Sequence, residues 1–237
     1  MRWIRLSRPQ ALRFALSALG LLGLLGLFGL SGYFRGGISM VNVAELKLPE
    51  SVSVKRFSFE EKALEGWTTV HGHWAVEEIS DEPGGKRAIV QRAVENAFNV
   101  IIAPGGPYTD VDVSMRFKPI SGREDASGGI VIRFSEGRYY VIRANALENN
   151  FRLYYHDRGR HQLATARVRP PTLGQWHTLR VVAVGDQIQG SLDGQLLINH
   201  RDSRFRSGQV GLWTKADSIT AFDDFTIRGV WAKADSQ

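Results

Sequence analysis

The chain has 237 residues, 43% of them hydrophobic, with 25 glycines, which suits one large β-domain or two small ones. It has no cysteine, which excludes a disulfide framework, a thiolate metal site, a cysteine nucleophile and an acylated lipoprotein anchor. The net charge of +6 sits largely at the amino terminus, where four of the 30 basic residues meet no acid. The rest carries 26 basic against 24 acidic side chains, too balanced for the concentrated basic footprint of a nucleic-acid-binding protein.

In chain order the first element is "MRWIRLSRPQALRF", carrying Arg2, Arg5, Arg8 and Arg13, followed by the uncharged apolar run "ALSALGLLGLLGLFGLSG". A basic flank before such a run predicts a hydrophobic helix over residues 1–32, either a cleaved signal peptide or an uncleaved signal anchor that spans the membrane. Both readings place the body outside the cytoplasm, membrane-anchored in one case and secreted or periplasmic in the other. Residues 33–54 have no sustained period and include Pro49, so they read as a tether, with room for a short strand at its end.

From Lys55 onward short strand patterns alternate with turn signals, which predicts a single all-β domain over 55–231 and a tail at 232–237. "FNVIIA", "VDVSMRFKPI", "GGIVIRF", "YYVIRAN", "FRLYYH", "HTLRVVAVG", "QIQGSLDG", "QLLINH", "GQVGLWT" and "DDFTIRG" suit extended structure. Asp193-Gly194 is a hairpin signal, because both central residues of a type I′ turn take positive φ. So many evenly spaced strands point to two packed antiparallel sheets.

Successive strand residues point to opposite sides. If Ile130, Ile132 and Phe134, then Tyr140, Ile142 and Ala144, then Phe151, Leu153 and Tyr155 face the core, the other side carries a polar and aromatic row. That row is Arg133, Tyr139, Arg143, Asn145, Arg152, Tyr154 and His156. Aromatic rings stack on the apolar faces of sugars, and guanidinium and amide groups fork onto hydroxyls or carboxylates. This row is therefore the predicted ligand-binding face. With three arginines and no carboxylate in it, the expected partner is carbohydrate, preferably acidic. Cross-strand Arg and Tyr pairs also stabilise an ordinary exposed sheet, so a purely structural surface is the competing reading.

The order of "LEGWTTVHGHWAVEE", "DVDVSMRFKPISG", "ASGGIVIRF", "YYVIRANALENNFRLY", "GQWHTLRVVAVGDQIQGSLDGQLL" and "GQVGLWTKADSITAFDDFTI" resembles concanavalin A-like lectin/glucanase domains over about residues 57–228. The resemblance is to the branch called 3-keto-disaccharide hydrolase or family-16 glycoside hydrolase-like, and it implies a two-sheet antiparallel jelly-roll sandwich. The fold hosts lectins, binding modules, adhesion domains and hydrolases alike, so it does not fix the activity. A retaining glycosidase needs two carboxylates about 5 Å apart, and the Glu-x-Asp-x-x-Glu or Glu-x-Asp-x-Glu run that supplies them from one strand in laminarinase-like enzymes is absent. "EEISDE", Glu77 to Glu82, has the residue types but runs straight into a Pro-Gly-Gly turn, and His71-Gly72-His73 reads as a polar turn. A hydrolase-like enzyme and an envelope protein-interaction module remain the alternatives to a binding domain. In such sandwiches the first and last strands often adjoin, which would let Glu60, Asp223 and Asp224 share a structural calcium ion through oxygen ligands. Trp67, Trp74, Trp176 and Trp213 fall in segments matching the family's core and read as packing residues.

Overall fold

The structure is a computed structural model that describes residues 44–49, 51–60, 64–79 and 87–233. The hydrophobic segment expected at 1–32 and most of the tether lie outside the described residues. Among the described residues no helix is long and apolar enough to cross a membrane.

Among the described residues fifteen strands follow one another: β1 (Ser53–Phe57), β2 (Thr68–His71), β3 (Trp74–Glu78), β4 (Arg87–Gln91), β5 (Phe98–Ile102), β6 (Tyr108–Ser121), β7 (Ser127–Ser135), β8 (Arg138–Asn145), β9 (Asn150–His156), β10 (Arg160–Arg167), β11 (His177–Val184), β12 (Gln187–Leu192), β13 (Gln195–Arg201), β14 (Gln209–Lys215) and β15 (Ile219–Trp231). They form two antiparallel sheets. One has the order β13-β12-β11-β6-β15-β4-β3, with β1 added on β15, and the other runs β10-β9-β8-β7-β14-β5-β2. The chain is thus the all-β sandwich expected from its strand patterns. The pattern leaves out the short strands β2, β3 and β4 and also β10, whose "RHQLATAR" lies at a sheet edge with burial that hardly alternates.

Alternation builds the core. Val113, Met115 and Phe117 of β6 and Leu179, Val181 and Ala183 of β11 face Ile130, Ile132, Tyr140, Ile142, Phe151 and Leu153 of the other sheet. All twelve are buried, and each large one is worth roughly 1.5–3 kcal/mol relative to exposure. The predicted hairpin closes as expected: Asp193 and Gly194 both have positive φ, +49° and +79°, and join β12 to β13.

The end of the expected tether is held against the eight-stranded sheet. The buried Gln189 side chain of β12 donates to the Ala44 carbonyl at 2.9 Å and accepts from the Leu46 N–H at 2.8 Å. Glu45 pairs with Arg180, which also grips Asp112 through two bonds of 2.7 and 3.0 Å. Leu46 and Leu48 are half-buried while Glu45, Lys47 and Pro49 are exposed, the period-2 pattern of an extended strap lying on a surface.

Candidate functional site

The outward face of the seven-stranded sheet is the face singled out by the sequence. Its floor is a second apolar cluster of Val100, Ile102, Val131, Tyr139, Val141, Tyr154 and Trp213, with Phe98 and Phe134 packed on it. Phe98 of β5 and His156 of β9 lie four strand positions apart, about 19 Å on a flat sheet. Their rings are nevertheless 5.7 Å apart, so the sheet bows and this face is concave. His156 stacks flat on Tyr139 at 4.9 Å, and the Arg160 guanidinium lies over both Tyr154 and Phe98, at 4.5 and 5.2 Å. These three side chains roof the floor, which is why Trp213, Tyr139 and Tyr154 are at most 4% exposed. Burial pushes the Tyr139 phenol up to about 12, so it stays neutral.

One corner of the face is charged and partly exposed. Arg143 of β8 and Arg152 of β9 sit directly opposite each other, with Tyr154 beside them. Arg143 donates to Glu148 at 2.7 Å, to the Asn150 carbonyl at 3.3 Å and to the Tyr154 hydroxyl at 3.4 Å. Arg152 donates to the Tyr154 hydroxyl at 3.1 Å and lies 3.6 Å from Glu148. Glu148, on the turn between β8 and β9, also accepts from the Asn150 amide at 2.8 Å. Partial burial works against its charge, but the bonds from Asn150 and Arg143 and the two arginine charges hold its carboxyl below the usual range. The Nε atoms of both arginines and Nδ2 of Asn145 are buried without a hydrogen-bond partner in the protein. Gly129 of β7 makes the corner possible: a Cβ there would stand 3.1 Å from the Arg143 Cβ and 2.9 Å from the Ile142 carbonyl.

Of the seven predicted residues, six lie where alternation places them. Tyr139, Arg143 and Tyr154 belong to the concave face, Arg152 and His156 are its partly exposed members, and Asn145 is buried at its end, accepting from the N–H groups of Ala126 and Leu147. Arg133 does not. It is the extra residue of a bulge in β7, with φ +54°, and the pairing shifts register there against both β8 and β14. The bulge turns Arg133 off the face and brings Phe134 onto it, stacked on Tyr139 at 5.9 Å. The buried guanidinium instead donates to the carbonyls of Thr109, Phe205 and Gly185, at 3.0, 2.9 and 2.6 Å. Alternation also missed Phe98 of the roof; Arg160, from the unrecognised β10; Trp213, a floor residue rather than a core one; and Glu148 and Asn150. Glu148 is the carboxylate that the outer row seemed to lack, and its only sequence signal was its place in a turn between two arginine-bearing strands.

The other predicted groups lie apart from this face. Asp224 is 3.2 Å from Arg116, and Phe57 of β1 pairs with Phe225 of β15, so the first and last strands do adjoin. Glu60, Asp223 and Asp224 do not gather, and among the described residues no three His, Asp or Glu side chains cluster closely enough to hold a metal ion. Glu77 is bound by Arg92 at 2.9 and 2.5 Å and Glu78 lies 3.4 Å from Arg87, while Asp81 and Glu82 fall outside the described residues. His71, at the end of β2, hydrogen-bonds Asn99 of β5 at 3.1 Å, and its carbonyl accepts from the Trp74 indole across the β2–β3 turn at 2.9 Å. Trp67 packs with Phe57, Phe59 and Phe225, and Trp74 with Phe222, inside the sandwich. Trp176 lies beneath the Arg116 guanidinium, 4.6 Å away.

Two packed antiparallel sheets, one of them bowed around a polar and aromatic concave face, define a concanavalin A-like sandwich. Residues 56–228 match the model of the 3-keto-alpha-glucoside-1,2-lyase-like domain, and the chain belongs to that family. A levanase of Bacillus subtilis is 26% identical over 168 residues, which cover 69% of this chain and 23% of the levanase, so the chain spans about a quarter of that relative. The carbohydrate binding module CBM66 from Bacillus subtilis superposes with a TM-score of 0.59 at 23% identity, over 69% of this chain and 96% of the module. A GH16 protein from the Bacteroides ovatus mixed linkage glucan PUL, in complex with product, gives a TM-score of 0.53 at 10% identity, covering 73% and 98% of the two chains.

Proposed function

We propose that the charged corner of the concave face binds carbohydrate, with Arg143, Arg152 and Asn150 as its contact groups. The reading rests on one observation: two guanidiniums meet beside a tyrosine ring, and buried N–H donors there have no partner in the protein. Unpaired buried donors are costly, and ligand hydroxyls or carboxylates would satisfy them. The likeness to a carbohydrate binding module supports the same function. A glycan bearing carboxylates fits best, because Arg143, Arg152 and Arg160 outnumber the single Glu148. The sandwich acts outside the cytoplasm, tethered by residues 1–32, a placement supported by the basic flank and apolar run of that segment. The family match favours a second reading, turnover of a keto-glycoside; an ionised Glu148 would then serve as base rather than proton donor.

The test is a glycan array probed with the full chain. Signals on acidic glycans, lost in the Arg143→Ala, Arg152→Ala double variant, would support the binding site. Silence across the array would remove it, and release of product from a 3-keto-disaccharide would favour the enzyme.

A further inference from the structure

The Arg143–Arg152 corner is built around a carboxylate, and the carboxylate in it belongs to the chain itself. Glu148 stands on the four-residue turn 146–149, its side chain 38% exposed, while Arg143 beneath it is only 2% exposed. One oxygen, Oε2, takes the contacts from Arg143, Asn150 and Arg152. Oε1 makes none of them, and the Nε donors of both arginines are left over. A guanidinium normally meets a carboxylate through two parallel bonds, using both oxygens. Glu148, reaching in from a turn, engages the pair with half of its capacity.

Resting on the carbohydrate reading above, we infer that Glu148 is an intramolecular stand-in for the carboxylate of a uronic acid, and that such a ligand binds by displacing it. The two arginines then turn their unused Nε donors to the incoming group, and the turn carries Glu148 outward into solvent. A neutral sugar gains nothing from this exchange, because it brings no charge to replace the one that leaves. Glu148 therefore sets the affinity for acidic glycans. Apparent binding is weakened by the fraction of molecules in which the corner is self-occupied, and the site discriminates against weakly held ligands.

The test uses calorimetry on the full chain with glucuronate-, galacturonate- and mannuronate-bearing oligosaccharides, each beside its carboxyl-reduced counterpart. Glu148→Gln should bind the acidic members about tenfold more tightly and change the reduced members by less than about twofold. Glu148→Asp, which keeps the charge beside Arg143 but shortens its reach, should move the same way and guards against loss of folding in the first variant. Binding of the acidic members by the variants alone would support the inference too. Equal or weaker binding of the acidic members by both variants would overturn it, leaving Glu148 a direct acceptor for hydroxyls and the carbohydrate reading intact. If no oligosaccharide binds any form of the protein, the inference and the carbohydrate reading fall together.

Discussion

Arg133 and Arg152 are two arginines of one sheet in opposite settings, one buried and one partly exposed. Arg133 is locked by three backbone carbonyls from β6, the β11–β12 turn and the β13–β14 loop, and it holds three parts of one end of the sandwich together. Arg133→Ala leaves those carbonyls without their donor in a buried place, and about 3 kcal/mol of stability should be lost in urea unfolding. Arg152 is 30% exposed at the mouth of the corner. Arg152→Ala should cost less than about 1 kcal/mol of stability but weaken an acidic glycan about tenfold, the value of one charge-assisted contact. If the two variants affected stability alike, the division between a structural and a binding arginine would be wrong. No rule of composition separates them; the positive φ of Arg133 does, because it reverses which side the residue faces.

Loops and straps show the same logic at the next scale. Asp217, between β14 and β15, accepts from the backbone N–H groups of Arg123, Glu124 and Asp125, at 2.7, 3.0 and 3.0 Å. Burial works against its charge, yet these bonds outweigh it and hold the carboxyl below the usual range. A carboxyl with a lowered folded-state value stabilises fully above its unfolded value, about 3.9, and loses that contribution as pH falls through the folded value. Hydrogen exchange at 123–125 should therefore be faster in Asp217→Asn than in the wild type at pH 6. The difference should close as pH drops below about 3.9; a gap that persisted in acid would mean the charge is not what holds the loop. On the other sheet, Gln189 holds the strap at 44–49 through both ends of its amide. Gln189→Ala should free that segment for limited proteolysis while lowering global stability by only about 1–2 kcal/mol. An unchanged cleavage rate would show that Leu46 and Leu48 hold the strap without the amide.

Over the sandwich, one sheet carries the strap on its outer face and the other carries the charged corner, with the core between them. The bow of the seven-stranded sheet connects core to site. It folds Phe98, His156 and Arg160 over the floor, so Tyr139, Tyr154 and Trp213 are enclosed, and the accessible groups at the charged end are Arg152 and Glu148. The open sugar platform implied by a flat row of aromatics is therefore replaced by a small charged corner.

The sequence by itself determined the class of fold, most strand positions, the Asp193-Gly194 hairpin and the side of β8 and β9 on which Tyr139, Arg143, Arg152 and Tyr154 stand. All of these follow from period-2 alternation and turn chemistry, which are local. Only the tertiary structure decided that Arg133 leaves the face, that Arg160 arrives from an edge strand, that Trp213 belongs to the floor, and that Glu148 closes on the two arginines. A bulge breaks the alternation from which side-chain direction is read. The approach of a turn, an edge strand and a strand four places away depends on register and curvature, which arise from pairing between distant segments and leave no mark in any short stretch of chain.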